Sequence, residues 1–178
     1  MRIILRVFVV LLVMLNSACA VNTEKKPGLV SDGVKPTPQN ETVFQDWRKK
    51  CQLNKNNHQV CLIYQNITIK GSGKSLLYAS FTYKNNKLLG SFKVPFGVFL
   101  PAGVALKVDE KEQVNFVVQT CLADGCYSSL QIEDDLLDQF KTGSEAKVGF
   151  KTIDQRQLAV KLSLKGFSQA INSLSDRK

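Results

Sequence analysis

Short segments in which apolar and polar residues alternate recur along the chain from residue 43 onward. They are rich in β-branched and aromatic residues, and Asn, Gly, Asp or Pro separates them. Alternation with a period of two is typical of a strand with one buried face, and this spacing of the breaks is typical of a β-sandwich or barrel. The predicted strands are residues 59–64, 67–69, 76–83, 88–94, 104–108, 114–120, 127–132, 146–150 and 158–164, with a further strand headed by Trp47.

Two of these patterns also predict which side chains point inward, namely Val148, Phe150 and Ile153 in one and Val160, Leu162 and Leu164 in the other. Two helical segments interrupt the strands. Residues 133–140 begin with acidic residues and are followed by Gly143, as expected of a helix with a favourable first turn. Residues 168–174 predict a terminal helix that packs Ile171 and Leu174 on the body of the domain.

The N-terminal residues differ in composition from the rest. Arg2 and Arg6 precede an apolar run at residues 7–15 and small residues up to Ala20, which is the layout of a secretory signal peptide at 1–20. Residues 21–42 are rich in Pro, Gly and Lys and predict a flexible tether, so a single domain is expected over 43–178. The chain is therefore expected to be exported to the periplasm or outer membrane, or secreted.

Cys19 has two alternative fates. Residues 18–20, Ala-Cys-Ala, suit cleavage after Ala20, which removes the cysteine with the signal. Residues 17–19 also resemble the end of a bacterial lipobox, in which Cys19 becomes the lipidated first residue and attaches the protein to a membrane. Membrane attachment is expected only in the second case.

The other four cysteines are Cys51, Cys61, Cys121 and Cys126. An even number in an exported domain predicts two disulfides, although four cysteines allow three pairings. Turn-forming residues lie between the members of each close pair, which favours Cys51–Cys61 and Cys121–Cys126. A four-thiolate zinc site is the rival interpretation, and the wide spacings argue against it.

Few residues suggest chemistry. His58 is the only histidine and lies in a polar loop, and residues 71–75, Gly-Ser-Gly-Lys-Ser, lack the earlier glycine and the following helix of a phosphate-binding loop. The acidic cluster at 133–138 is explained by helix N-terminal charge. We therefore expect no metal, no cofactor and no enzymatic activity.

The net charge of +9 favours anionic partners such as lipid head groups or glycans, although an ordinary solvated basic surface explains the same charge. Arg48, Lys49 and Lys50 form the main basic run of the expected domain and are candidate contacts to an anionic surface. Export and the lack of an aromatic–basic reader motif argue against nucleic acid.

Four stretches together resemble the invasion-associated locus B family. They are residues 94–109, 116–126, 46–61 and 160–174, which carry a Pro/Gly-rich segment, an "f..C...GC" pattern, a W…C…C opening and an "SL.GF..A...L" ending. The resemblance implies an exported protein of Gram-negative bacteria with an immunoglobulin-like β-sandwich, linked in some members to invasion of host cells. It supplies no catalytic residues.

The expected function is a non-catalytic binding or adhesion-type module that contacts an envelope or host-surface component. The alternative is a periplasmic thiol–disulfide redox protein or another enzyme that uses Cys121 and Cys126. The segment between Pro95 and Gly103 is expected to turn a corner between sheets, since proline lacks a ladder donor and glycine tolerates unusual backbone angles.

Overall fold

Two antiparallel sheets make up most of residues 41–175, the part of the chain that the computed structural model describes. The predicted signal peptide, Cys19 and almost all of the predicted tether lie outside the described residues. The strands are β1 (Thr42–Phe44), β2 (Trp47–Leu53), β3 (Gln59–Thr68), β4 (Ser75–Lys84), β5 (Lys87–Val94), β6 (Val104–Val108), β7 (Val114–Phe116), β8 (Thr120–Leu122), β9 (Gly125–Gln131), β10 (Glu145–Lys151) and β11 (Gln157–Ser163).

The large sheet has seven strands in the order β1-β2-β3-β4-β5-β9-β8, and the small sheet has four in the order β11-β10-β6-β7. The predicted β-sandwich class is confirmed. Strand β1 begins at Thr42, next to the predicted start of the domain at residue 43. Helix α1 (Asp134–Thr142) joins β9 to β10, and helix α2 (Phe167–Ser175) follows β11, close to the predicted positions of both helices.

The chain passes between the two sheets at three places, the last of them through α1 between β9 and β10. After β5, residues 95–103 leave the large sheet, form a short 3-10 turn at Leu100–Ala102 and enter the small sheet at β6, as the Pro/Gly pattern predicts. After β7 the chain returns to the large sheet through residues 117–119. The prediction of one strand at 114–120 is therefore wrong, because the two halves of that segment belong to different sheets.

The core lies between the inner faces of the sheets. Trp47, Phe81, Phe140 and Phe167 are fully buried and make edge-to-face or tilted ring contacts, with centroids 5.1–5.5 Å apart. Such arrangements are the preferred geometry of aromatic pairs. Helix α2 thereby closes the sandwich over β2, with Ile171 buried as predicted.

The inward pattern holds for both strands of the small-sheet hairpin except at its turn. Val148, Phe150, Val160 and Leu162 are buried as predicted. Ile153 is 71% exposed, so its predicted inward orientation is wrong. The physical reason is that β10 ends at Lys151 and the chain turns, with the Thr152 amide donating to the Arg156 carbonyl, so the alternation stops before Ile153.

Candidate binding surface

The disulfides are Cys51–Cys61 and Cys121–Cys126, each linking directly paired residues of adjacent strands. Both pairings agree with the prediction from the turn residues. The Cys121–Cys126 bond fastens the three-residue edge strand β8 to β9, with Cys126 buried and Cys121 exposed. The bond therefore holds the short β8–β9 hairpin together, as a structural disulfide does. Within the described residues, no group of three His, Cys, Asp or Glu side chains is arranged to hold a metal ion.

The other loop candidates are turns. His58 is exposed in the β2–β3 hairpin, where the Asn54 side-chain oxygen accepts hydrogen bonds from the backbone amides of Asn56 and His58. Gly71 and Gly73, both with positive φ, form the β3–β4 hairpin, and a strand follows them instead of a helix. Both loops have the geometry needed to reverse the chain between antiparallel strands.

The basic run at 48–50 does not form one surface, which corrects the prediction that its three side chains act together. Neighbouring residues of a strand point to opposite faces. Lys49 therefore lies on the inner face, where its ammonium donates to the Ser173 carbonyl near the C-terminus of α2. Arg48 lies on the outer face but is paired with Glu41, with 3.2 Å between Arg48 Nη1 and Glu41 Oε2. Lys50 alone remains as the candidate anionic contact.

Lys50 belongs to a row of side chains across the outer face of the large sheet, which we call the tyrosine–lysine row: Lys50, Tyr64, Tyr78, Lys93 and Tyr127. The Tyr64 and Tyr78 rings are stacked with centroids 5.2 Å apart. Lys50 Nζ lies 5.1 Å from the Tyr64 centroid, and Lys93 Nζ lies 5.6 Å from the Tyr78 centroid. Two ammonium groups therefore flank two stacked rings, in the geometry of cation–π contacts.

Carboxylates lie at both ends of the row. The Tyr64 hydroxyl donates to Glu41 Oε1 at 2.5 Å, and Asp124 accepts from Lys93 Nζ and from the Tyr127 hydroxyl at 2.8–2.9 Å. Burial, followed by the hydrogen bond to Glu41, raises the pKa of Tyr64 to about 12. The Lys93 hydrogen bond holds the pKa of Asp124 below its ordinary value. Glu41 and Asp124 thus carry charge at neutral pH and keep the hydroxyls oriented.

A polar cleft of about 480 Å³ opens beside the row, where β3 faces the small sheet. The Gln65 amide spans it, accepting from the Ser163 amide at 3.0 Å and donating to the Asp46 carbonyl at 3.1 Å. A neighbouring depression shares Asp46 and Gln65 and continues to Arg48 and Tyr64. The cleft is lined by Asp46, Gln65, Asn66, Ile67, Ser144, Glu145, Lys161, Ser163 and Lys165. Row and cleft together form a continuous polar surface that displays ammonium, amide and hydroxyl groups.

Most of this surface cannot be found from the sequence alone. Tyr64, Tyr78, Lys93 and Tyr127 come from four strands and meet only through the register in which Tyr78 pairs with Lys93 and Lys93 with Tyr127. The one signal in the sequence is the alternation of polar and apolar residues along each strand, which puts these residues on the outward-facing side. No helix of residues 41–175 combines the length and apolar character needed to span a bilayer.

Architecture and surface together define a class: a disulfide-stapled β-sandwich with a polar, aromatic-lined outer face. Within that class, the family model for the invasion associated locus B (IalB) protein matches residues 47–175, and the chain belongs to this family. The family expected from the sequence is thereby confirmed.

Relatives agree with the assignment. An invasion protein B homolog of Brucella abortus (strain 2308) is 29% identical over 136 residues, covering 75% of this chain and 78% of that protein, and the homolog of strain 9-941 matches equally. The crystal structure of invasion associated protein B from Bartonella henselae superposes with a TM-score of 0.70 at 21% identity, covering 76% of this chain and 94% of that one. This second likeness shows the same fold.

Proposed function

We propose that the protein is an exported, non-catalytic binding module that contacts an anionic glycan of the bacterial envelope or of a host surface through the tyrosine–lysine row. The proposal extends the family membership, in which relatives are named as invasion proteins. Export follows from the expected signal peptide at residues 1–20.

The observation that carries the proposal is the environment of Lys50. Its ammonium lies over the rings of Tyr64 and Tyr78, and within residues 41–175 no carboxylate is at ion-pair distance from it. An ammonium held on aromatic faces remains available to a carboxylate, sulfate or phosphate group. A lysine that is already paired with a buried carboxylate is not available to a ligand in this way.

The cleft beside the row supplies the remaining chemistry that a glycan requires. The Asn66 side chain offers an amide donor, with its oxygen already accepting from the Ser75 hydroxyl, and the exposed Lys165 offers a further cation. Sugars present many hydroxyl groups, which such mixed donor and acceptor surfaces recognise. An extended ligand that bridges the row and the cleft fits this arrangement better than a compact one.

The test is binding to a sulfated polysaccharide and to a polyuronate, measured by calorimetry at rising salt. The variant Lys50→Gln is compared with Lys87→Gln, which removes the same charge from the exposed β4–β5 hairpin. One surface contact of about 0.7 kcal/mol predicts that the row variant binds about threefold more weakly.

The hairpin variant is the matched control and should bind nearly as well as the wild type. Equal weakening of both variants would mean that net charge alone attracts the polymer. Absence of binding by the wild type at low salt would refute the proposal.

A further inference from the structure

Seven large apolar side chains are exposed at one end of the sandwich, which we call the apolar end. Each is between 36% and 71% exposed, whereas an isolated exposed residue would need no explanation. The seven are Ile69, Phe96, Phe99, Leu100, Val117, Leu122 and Ile153. None of them contributes to the tyrosine–lysine row.

Backbone contacts place the loops that carry these side chains side by side. The Ile153 amide donates to the Gly97 carbonyl at 2.9 Å, which joins the β10–β11 turn to the 95–103 segment. A Cβ atom placed on Gly103 would lie 3.6 Å from Val117 Cα. The segment between β7 and β8, which carries Val117, therefore lies beside the 95–103 segment. Leu122 pairs with Gly125, which packs against the end of β5 just before Phe96.

The charge around the apolar end is positive. Lys70 and Lys74 lie in the β3–β4 hairpin, at the same end of the large sheet as the exit of β5, and Lys151 is the last residue of β10. These three lysines are exposed and have no ion-pair partner within the described residues. Two further cations nearby, on Lys93 and Arg156, are paired with acids.

The opposite end carries acidic segments as well as the exposed Lys84 and Lys87 of the β4–β5 hairpin. Strands β6 and β9 both start at the apolar end and run away from it, and the segments that follow them are residues 109–112 and 133–135. Those segments contain six acidic residues and one lysine. The charge that favours contact with an anionic surface is therefore the group of unpaired lysines beside the exposed apolar side chains.

We propose that the apolar end docks on an anionic lipid bilayer, with Phe96 and Ile153 inserted at the interface and Lys70, Lys74 and Lys151 on the headgroups. Apolar side chains gain transfer free energy when they enter the acyl boundary, and lysines near the surface add electrostatic attraction. A second copy of the chain is a poorer occupant, because two apolar ends brought face to face would oppose like-charged lysines.

The test uses vesicles of phosphatidylcholine with and without phosphatidylglycerol, and exported protein carrying Cys19→Ser so that no acyl chain contributes. Phe96→Trp adds a reporter to the single native tryptophan, Trp47, which is buried. Its emission should shift to the blue and be quenched by brominated lipid only when phosphatidylglycerol is present. Tyr83→Trp, at the far end of β4, should stay unchanged.

A second pair of variants tests the energetics by vesicle sedimentation. Phe96→Ser/Ile153→Ser should bind about tenfold more weakly, because two inserted side chains are lost. Val43→Ser/Leu53→Ser removes comparably exposed apolar groups elsewhere and should bind as the wild type does.

Three outcomes would overturn the inference: no binding to anionic vesicles, equal loss in both double variants, or a concentration-dependent dimer that Phe96→Ser/Ile153→Ser abolishes while vesicles remain unbound. The polysaccharide assay contains no lipid, so variants of the apolar end should retain polysaccharide binding. Failure of this inference is thereby distinguishable from failure of the proposed function.

Discussion

Replacement of Gly166 by alanine should destabilise the domain more than any other glycine replacement in a turn of comparable backbone angle. Gly166 has a φ of +84° and immediately precedes α2. A Cβ at this position would lie 2.1 Å from the carbonyl oxygen of Phe44, which belongs to β1. Since both atoms are attached to backbone, either β1 or the start of α2 must move.

The magnitude follows from a comparison with Gly71. That residue has nearly the same φ, +83°, but a Cβ there would meet no atom within 4 Å. Gly71→Ala should therefore cost only the left-handed backbone penalty, about 1–2 kcal/mol. Gly166→Ala should cost about 3–5 kcal/mol in the free energy of unfolding, because displacement of α2 also disturbs the packing of the buried Phe167 side chain.

Equilibrium denaturation followed by the fluorescence of Trp47 measures both variants. Trp47 is the only tryptophan of the chain, and its ring lies 5.1 Å from that of Phe167, so it reports the contact with α2 directly. Equal losses of unfolding free energy in the two variants would refute the reasoning, because they would show that the contact with Phe44 is relieved at no cost.

Three further outcomes are expected. Lys49→Ala should lower the free energy of unfolding by about 1 kcal/mol, since its ammonium donates to the Ser173 carbonyl near the C-terminus of α2, and thermal denaturation measures this. Ultraviolet titration should show Tyr64 ionising near pH 12; because its folded pKa lies above the unfolded value of about 10, its contribution to stability is complete below pH ~10 and disappears as the pH rises towards 12. Replacing Cys121 and Cys126 together by alanine should cost about 2 kcal/mol for so short a loop, and an unchanged denaturation midpoint would contradict the role of this bond as a staple.

The parts of the fold that depend on local chemistry are predictable from the sequence. The two disulfides follow from turn residues between close cysteines, and the first helix follows from acidic residues at its start with Gly143 after its end. The crossing at residues 95–103 follows from proline and glycine within an apolar run. Each of these features is decided within about ten residues, where composition and spacing carry the information.

The parts that depend on which strands become neighbours are not predictable in the same way. Residues 114–120 alternate as one strand would, and only the existence of two sheets explains why β7 and β8 separate. The run of three basic residues predicts one charged surface, whereas strand alternation puts Lys49 on the face opposite Arg48 and Lys50. The row itself requires the register of Tyr78 with Lys93, which comes from tertiary pairing.

The lengths of the edge strands determine where a strand of another chain can pair with the protein at high concentration. Three of the four sheet edges, β1, β7 and β8, are only three residues long, so each exposes too little free backbone to template an incoming chain. The fourth edge, β11, has seven residues, and the side chains of Gln65 and Trp47 occupy the backbone groups of its last residue, Ser163. Within residues 41–175, β11 is therefore the longest edge strand open to an incoming chain, because only its last residue is capped.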